Sequence, residues 1–288
     1  MKIVTRFAFA CAAVTLAAIP PASAEALKDL AGKTHYHGIA FARSGSATLL
    51  LATHNGLFAV DSNGEATQVS LVQDYMGFSP NPADPLTYFA SGHPSGGGNS
   101  GFLASTDGGA TWKQLSAGDG GPVDFHQMDV SPADPKTIYG AYGGLQASRD
   151  GGETWSVMGE PPAALIAIAA SSVKAEQIYA ATKNGLHMSV DAGASWQPLF
   201  FDGEVVSAIK AGPNGTLLAF VLGRGFVKTT EDKPRDWTVL SNGFENAIPL
   251  HVAVDPADGN HLALTTQAND VLESRDGGAT WTPFGKTP

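Results

Sequence analysis

Cysteine is almost absent: the 288-residue chain has one, Cys11, inside a leading apolar run, so disulfides are not expected to hold the fold. Charge is also sparse, at 15% of residues, with 17 Lys and Arg against 27 Asp and Glu for a net charge of −10. That balance, with no basic cluster, repels phosphate backbones and excludes nucleic acid as a partner. No apolar run is long enough to span a bilayer, so no membrane span is expected. Helical periodicity is missing over any useful length. Disorder is excluded as well, because 43% of the residues are hydrophobic.

The first two dozen residues read as an export signal. Lys2 and Arg6 form a basic start, Phe7 to Ile19 an apolar stretch, and Ala22-Ser23-Ala24 a small-x-small site before Glu25. Residues 1–24 are therefore predicted to be cleaved between Ala24 and Glu25, with the mature protein periplasmic or secreted. Removing them leaves 264 residues, no cysteine and a net charge of −12.

Internal repetition sets the expected architecture. Ser105-Thr-Asp-Gly-Gly-Ala-Thr-Trp112, Ser148-Arg-Asp-Gly-Gly-Glu-Thr-Trp155, Ser189-Val-Asp-Ala-Gly-Ala-Ser-Trp196 and Ser274-Arg-Asp-Gly-Gly-Ala-Thr-Trp281 are four copies of S-x-D-x-G-x-[ST]-W. A degenerate copy runs from Thr229 to Trp237, and Asp61-Ser-Asn-Gly64 is a worn one without its Trp. All five tryptophans end a copy, at steps of 43, 41, 41 and 44 residues. Within each unit, short apolar or alternating runs are separated by Pro/Asp and Gly turns, which reads as four strands. Six such units fill residues 25–288 as a single all-β domain, a six-bladed β-propeller with four-stranded antiparallel blades. Glu25 to Lys33 is expected to be an outer strand of blade 6 or an irregular lead-in.

The repeat resembles the Asp-box, or BNR repeat, of sialidases, sortilin-type receptors and a photosystem II assembly factor. The runs Thr34-His-Tyr-His-Gly-Ile-Ala-Phe41, Ala52-Thr-His-Asn-Gly-Leu57 and Asp124-Phe-His-Gln-Met-Asp-Val130 further resemble exported bacterial proteins labelled glycosyl-hydrolase-like. The resemblance implies that Asp107, Asp150, Asp191 and Asp276 accept backbone N–H groups in the turn joining the third and fourth strands. It implies that Trp112, Trp155, Trp196 and Trp281 pack between blades. These are structural roles, because four copies spread around a ring cannot converge on one substrate.

The eight histidines follow a different rule. His35, His37, His126 and His251 lie near the starts of first strands, and His54 and His93 near the ends of second strands. All six map to the face opposite the repeat turns, whereas His187 and His261 are expected to be surface residues elsewhere. Aligning blades on their Pro turns groups His37 with Asp74 and His126, His35 with Asp124, and Ile39 with Met76 and Met128. Imidazole, carboxylate and thioether together suit a transition metal, copper or zinc. The candidate ligands are His35, His37, His54, His93, His126, His251, Asp124, Met76 and Met128, with His37, His54, His93 and His126 foremost. Tyr36, Tyr75 and Phe125 are either an aromatic ligand wall or core. No nucleotide or flavin cofactor is expected.

Two other functions stay open. A sialidase needs an arginine cluster, and the few arginines are placed wrongly for one. Another glycosidase, or a metal-assisted hydrolase, would use carboxylates such as Asp74 and Asp124, or Asp129 or Glu204. The Gly-rich run from Ser91 to Gly101 could instead meet a periplasmic protein. The partner favoured is a metal ion or small molecule, and the protein is read as a monomer that binds rather than transforms its ligand.

Overall fold

The computed structural model describes residues 24–46, 48–244 and 247–286, so the predicted signal segment lies outside the described residues except for Ala24. Six antiparallel sheets are arranged as a β-propeller. Blade 2 is representative: Asp74–Pro80, Tyr88–His93, Phe102–Ser105 and Lys113–Ser116 pair in sequence order from the axis outward. The innermost strands of the other blades are Tyr36–Phe41, Gln127–Val130, Leu165–Ala170, Val206–Ala211 and Pro249–Val254.

The repeat sits in the third-to-fourth strand turn of four blades. In blade 2, Ser105 Oγ donates to Asp107 Oδ1 at 2.8 Å and accepts the Gly109 N–H at 2.9 Å. Asp107 Oδ1 takes the Thr111 N–H at 2.9 Å, and the Thr111 hydroxyl donates to Asp107 Oδ2 at 2.6 Å. Thus one carboxylate satisfies the turn that an outer strand would otherwise leave unpaired. The same contacts recur at Asp150, Asp191 and Asp276. Asp61 in blade 1 still accepts the Asn63 and Glu65 N–H groups, although the Trp is gone. In blade 5, Glu231 replaces the Asp and reaches back to blade 4, accepting from the Ser172 N–H at 2.9 Å and its hydroxyl at 2.8 Å.

These turns also join the blades. Gly109 has φ +92°, and a Cβ there would lie 2.2 Å from Leu57 Cδ2 of blade 1. Gly152, Gly193 and Gly278 approach Phe102, Leu145 and Phe226 of their preceding blades in the same way. Each turn glycine is therefore a seam contact that leaves no room for a side chain. The tryptophan rings lie along the same seams: Trp155 is 5.1 Å from Phe102 of blade 2 and 4.8 Å from Phe125 of its own blade.

The chain start departs from expectation. Glu25–Ala26 pairs with Glu65–Gln68, adding a fifth strand to blade 1 rather than an outer strand to blade 6, which completes four strands of its own with Thr282–Pro283. A five-residue helix, Leu27–Ala31, follows. Its Leu30 is buried with Tyr36, Ile39 and Phe41 of blade 1 and Ala253, Ala263, Val271 and Phe284 of blade 6, so the ring closes by apolar packing. Asn269 Nδ2 fastens the seam by donating to the Ala31 and Thr34 carbonyls at 3.1 Å.

His261 is not the surface residue expected. It is buried at this closing seam, 3.2 Å from Asp255 and 3.4 Å from Glu273, with its ring 4.5 Å from that of Phe41. His187 is half-buried on the third strand of blade 4, where burial pushes its imidazole pKa down.

Two outcomes follow from the turns and the seam. Hydrogen bonds, first from the Thr154, Ser195 and Thr280 hydroxyls, hold Asp150, Asp191 and Asp276 at about 2 against an ordinary 3.8. Their stabilisation is complete above the unfolded value and disappears as pH falls through the folded one. The urea midpoint should therefore drop between pH 4 and 2, less steeply in the Asp276→Asn variant. Leu30→Ala should cost about 3 kcal/mol, the usual range for a buried Leu being about 2–5, read as a lowered denaturation midpoint.

Candidate metal centre

The upper face is defined by the meander: first strands start there and second strands end there. Three first strands open alike, with His35-Tyr36-His37, Asp74-Tyr75-Met76 and Asp124-Phe125-His126. The strands end at Phe41, Pro80 and Val130, which pair with Leu49, Tyr88 and Ile138. Counting back from those ends makes Asp74 equivalent to His35 and Asp124, and Met76 equivalent to His37 and His126. Alignment on the prolines was two residues out in blade 2, because Pro80 is within its strand while Pro132 lies beyond its own. Tyr36, Tyr75 and Phe125 occupy one position and are buried core, not a ligand wall.

A bulge aims one histidine. Tyr36 pairs with Thr53 and Gly38 with Ala52, which leaves His37 as the extra, unpaired residue. His54 stands in the following turn, where Thr53 Oγ1 accepts the Asn55 N–H at 2.9 Å. Asp74 and His93 face one another as cross-strand partners in blade 2.

Six side chains converge as two groups. In the first, His37 Nε2 lies 3.0 Å from His54 Nε2, and His54 Nδ1 lies 3.1 Å from Asp74 Oδ2. In the second, Asp124 Oδ2 lies 2.7 Å from His126 Nε2 and 3.1 Å from His93 Nε2. One ligand atom from every member of a group lies within 4.8 Å of the others, close enough for a small cation to be shared after modest side-chain adjustment. Asp74 Oδ1 and Asp124 Oδ1 are buried and have no hydrogen-bond partner. A buried carboxylate oxygen without a donor is costly, and a cation would relieve it.

Electrostatics differ between the two groups. Burial, followed by the neighbouring His54, pushes the His37 pKa down to about 4, which keeps its imidazole neutral with a free lone pair. His93 is raised, first by its hydrogen bond to the Gly98 carbonyl at 2.9 Å and then by Asp124. That bond orients the ring, in the manner of the outer partners that position metal-binding imidazoles.

The other candidates lie outside both groups. His35 has its ring 6.0 Å from that of His54, and its Nδ1 accepts from Asn269 at 3.4 Å. His251 lines the axial channel, where burial pushes its pKa down to about 4 against a smaller opposing effect of the Tyr36 backbone. Met76 and Met128 are buried, and Met128 packs with Phe125 and Val130 in blade 3. Asp74 and Asp124, the carboxylates considered for catalysis, are both engaged by imidazoles. Glu204 is occupied by Arg224 at 2.8 Å.

Beneath the mouth, a channel of about 370 Å³ is lined by the innermost strands. Asp129 of blade 3 and Lys210 of blade 5 form an ion pair at 2.8 Å, and Asp129 also accepts from Ser79 Oγ at 3.2 Å and the Ala170 N–H at 3.0 Å. No sequence signal marks Lys210, since only the closed ring brings it opposite Asp129, 81 residues away.

The fold and this face together define a six-bladed propeller with two His/Asp clusters at one mouth. No protein-family model matches the chain, and no curated protein matches it in sequence. Among solved structures it is similar to a GH74 enzyme of Niastella koreensis, at 18% identity and TM-score 0.62 over 87% of this chain and 45% of that one. A GH74 xyloglucanase from Xanthomonas campestris is similar at 19% identity and TM-score 0.58, over 88% and 45%. YCF48 bound to D1 peptide is similar at 18% and 0.56, over 88% and 84%. The chain thus spans about half the length of the GH74 enzymes it matches, and at these identities the likeness is one of fold.

The channel pair supplies its own check. Lys210→Met leaves Asp129 buried without its cation and should lower stability by about 2 kcal/mol, less than the roughly 3–5 of a fully buried pair because Lys210 is 25% exposed. Comparing its denaturation midpoint with that of Lys210→Met/Asp129→Asn should show partial recovery in the double variant.

Proposed function

We propose that this protein is an exported Asp-box-type propeller that binds a transition metal, zinc or copper, at its upper mouth. The observation carrying this reading is the convergence of His37, His54, His93 and His126 on Asp74 and Asp124, whose second oxygens are buried and unpartnered. Imidazole with carboxylate is a donor set for zinc and oxidised copper. A mature chain without cysteine would hold such an ion in an oxidising compartment without a thiol to be lost.

A second reading, glycoside hydrolysis, draws on the GH74 likeness. It is weaker because Asp74 and Asp124 are each held by imidazole, which leaves neither as a free acid or base. A third reading, a docking platform for a periplasmic protein, draws on the YCF48 structure, which was solved with a peptide.

Metal analysis of the exported protein, followed by titration with zinc and copper, tests the first reading. Wild type should bind, and His37→Ala/His126→Ala should lose most of that binding with its fold intact. Failure of wild type to bind either metal would contradict the proposal. Release of reducing sugar from a glycan panel, lost on Asp124→Asn, would favour the hydrolase.

A further inference from the structure

We infer that the mouth holds two metal sites of unlike strength, the tighter between blades 2 and 3, rather than one site shared by all four histidines. This rests on the metal-binding reading above. The residues divide cleanly: His37, His54 and Asp74 form one compact set, and His93, Asp124 and His126 the other. Each set has its own carboxylate with a buried, unpartnered oxygen, so each has an unmet requirement for positive charge.

The sets differ in what a metal must displace. In the blade 1–2 set, both imidazoles are hydrogen-bonded within the set. His54 Nδ1–H donates to Asp74, and the proton between the two Nε2 atoms serves His37 and His54 together. A metal entering there must remove that proton and separate the rings from their 3.0 Å contact. Asp74 then remains on the far nitrogen of His54 as an outer partner or swings in as a ligand.

In the blade 2–3 set, both imidazoles face the same carboxylate oxygen. The Nδ1–H of His93 is committed to the Gly98 carbonyl, which fixes its Nε2 facing Asp124 Oδ2 at 3.1 Å. The same oxygen faces His126 Nε2 at 2.7 Å, so one ion can satisfy both imidazoles and the carboxylate without breaking the bond that orients His93. Asp124 is only 7% exposed, which strengthens its attraction for the ion relative to the better hydrated Asp74 at 15%.

The test is native mass spectrometry and calorimetric titration of the metal-free exported protein with zinc alone. Wild type should take up two equivalents in two resolved steps. His126→Ala and His54→Ala are suitable probes because these side chains are 58% and 46% exposed and their loss leaves the core untouched. His126→Ala should weaken the tight step by more than about 100-fold, beyond the roughly 10–100-fold of losing an outer partner, and leave the weak one. His54→Ala should do the reverse, and Asp124→Asn should reproduce His126→Ala. A single equivalent in wild type, or loss of both equivalents in either histidine variant, would overturn the two-site inference while leaving metal binding intact. No uptake by wild type would overturn the metal reading itself.

Discussion

The Ser–Asp pair of the repeat turn is the constraint on which the rest depends. It holds the third-to-fourth strand connection in a shape that needs a positive-φ glycine, and that glycine is where the neighbouring blade comes into contact. Local hydrogen bonding and long-range packing are thus one device, repeated around the ring. Where the device is worn, something else substitutes. Glu231 bridges blades 4 and 5, and the helix with Leu30 seals blade 1 against blade 6. Among the described residues, a ring built this way closes without a disulfide and without exchanging a strand between its first and last blades.

Because the lower face carries the turns, the upper face has no comparable structural duty. Its strand starts keep a buried aromatic in the core and leave the flanking positions to chemistry. Blades 1 to 3 use those positions for His and Asp, whereas blades 4 and 5 begin their first strands with Leu165-Ile-Ala and Val206-Ser-Ala. The bulge that frees His37 recurs in those two blades, where its extra residues are Ile166 and Ser207. The same backbone irregularity therefore carries an apolar or hydroxyl side chain in blades 4 and 5 and aims an imidazole in blade 1.

Much of this was legible in the sequence, because repetition converts a local signal into a global one. The blade count follows from the spacing of one motif, and the turn role of Asp107 and its counterparts from the resemblance that motif carries. What was hidden depends on contacts between distant residues. The pairing of Glu25–Ala26 with blade 1 was ambiguous because both ring ends offered a free edge. Burial of His261 depends on Phe41, more than two hundred residues earlier. The division of the histidines into two sets depends on which ring nitrogen faces which carboxylate, a property of rotamers and of the Gly98 carbonyl that no spacing encodes.

The most direct measurement is an anomalous-difference map from crystals of the protein grown with zinc. The account predicts a strong peak about 2.0–2.2 Å from His93 Nε2, His126 Nε2 and an Asp124 oxygen, with a weaker one between His37 and His54. A map without density at either place, in which Asp124 keeps its direct contacts to both imidazoles, would contradict it.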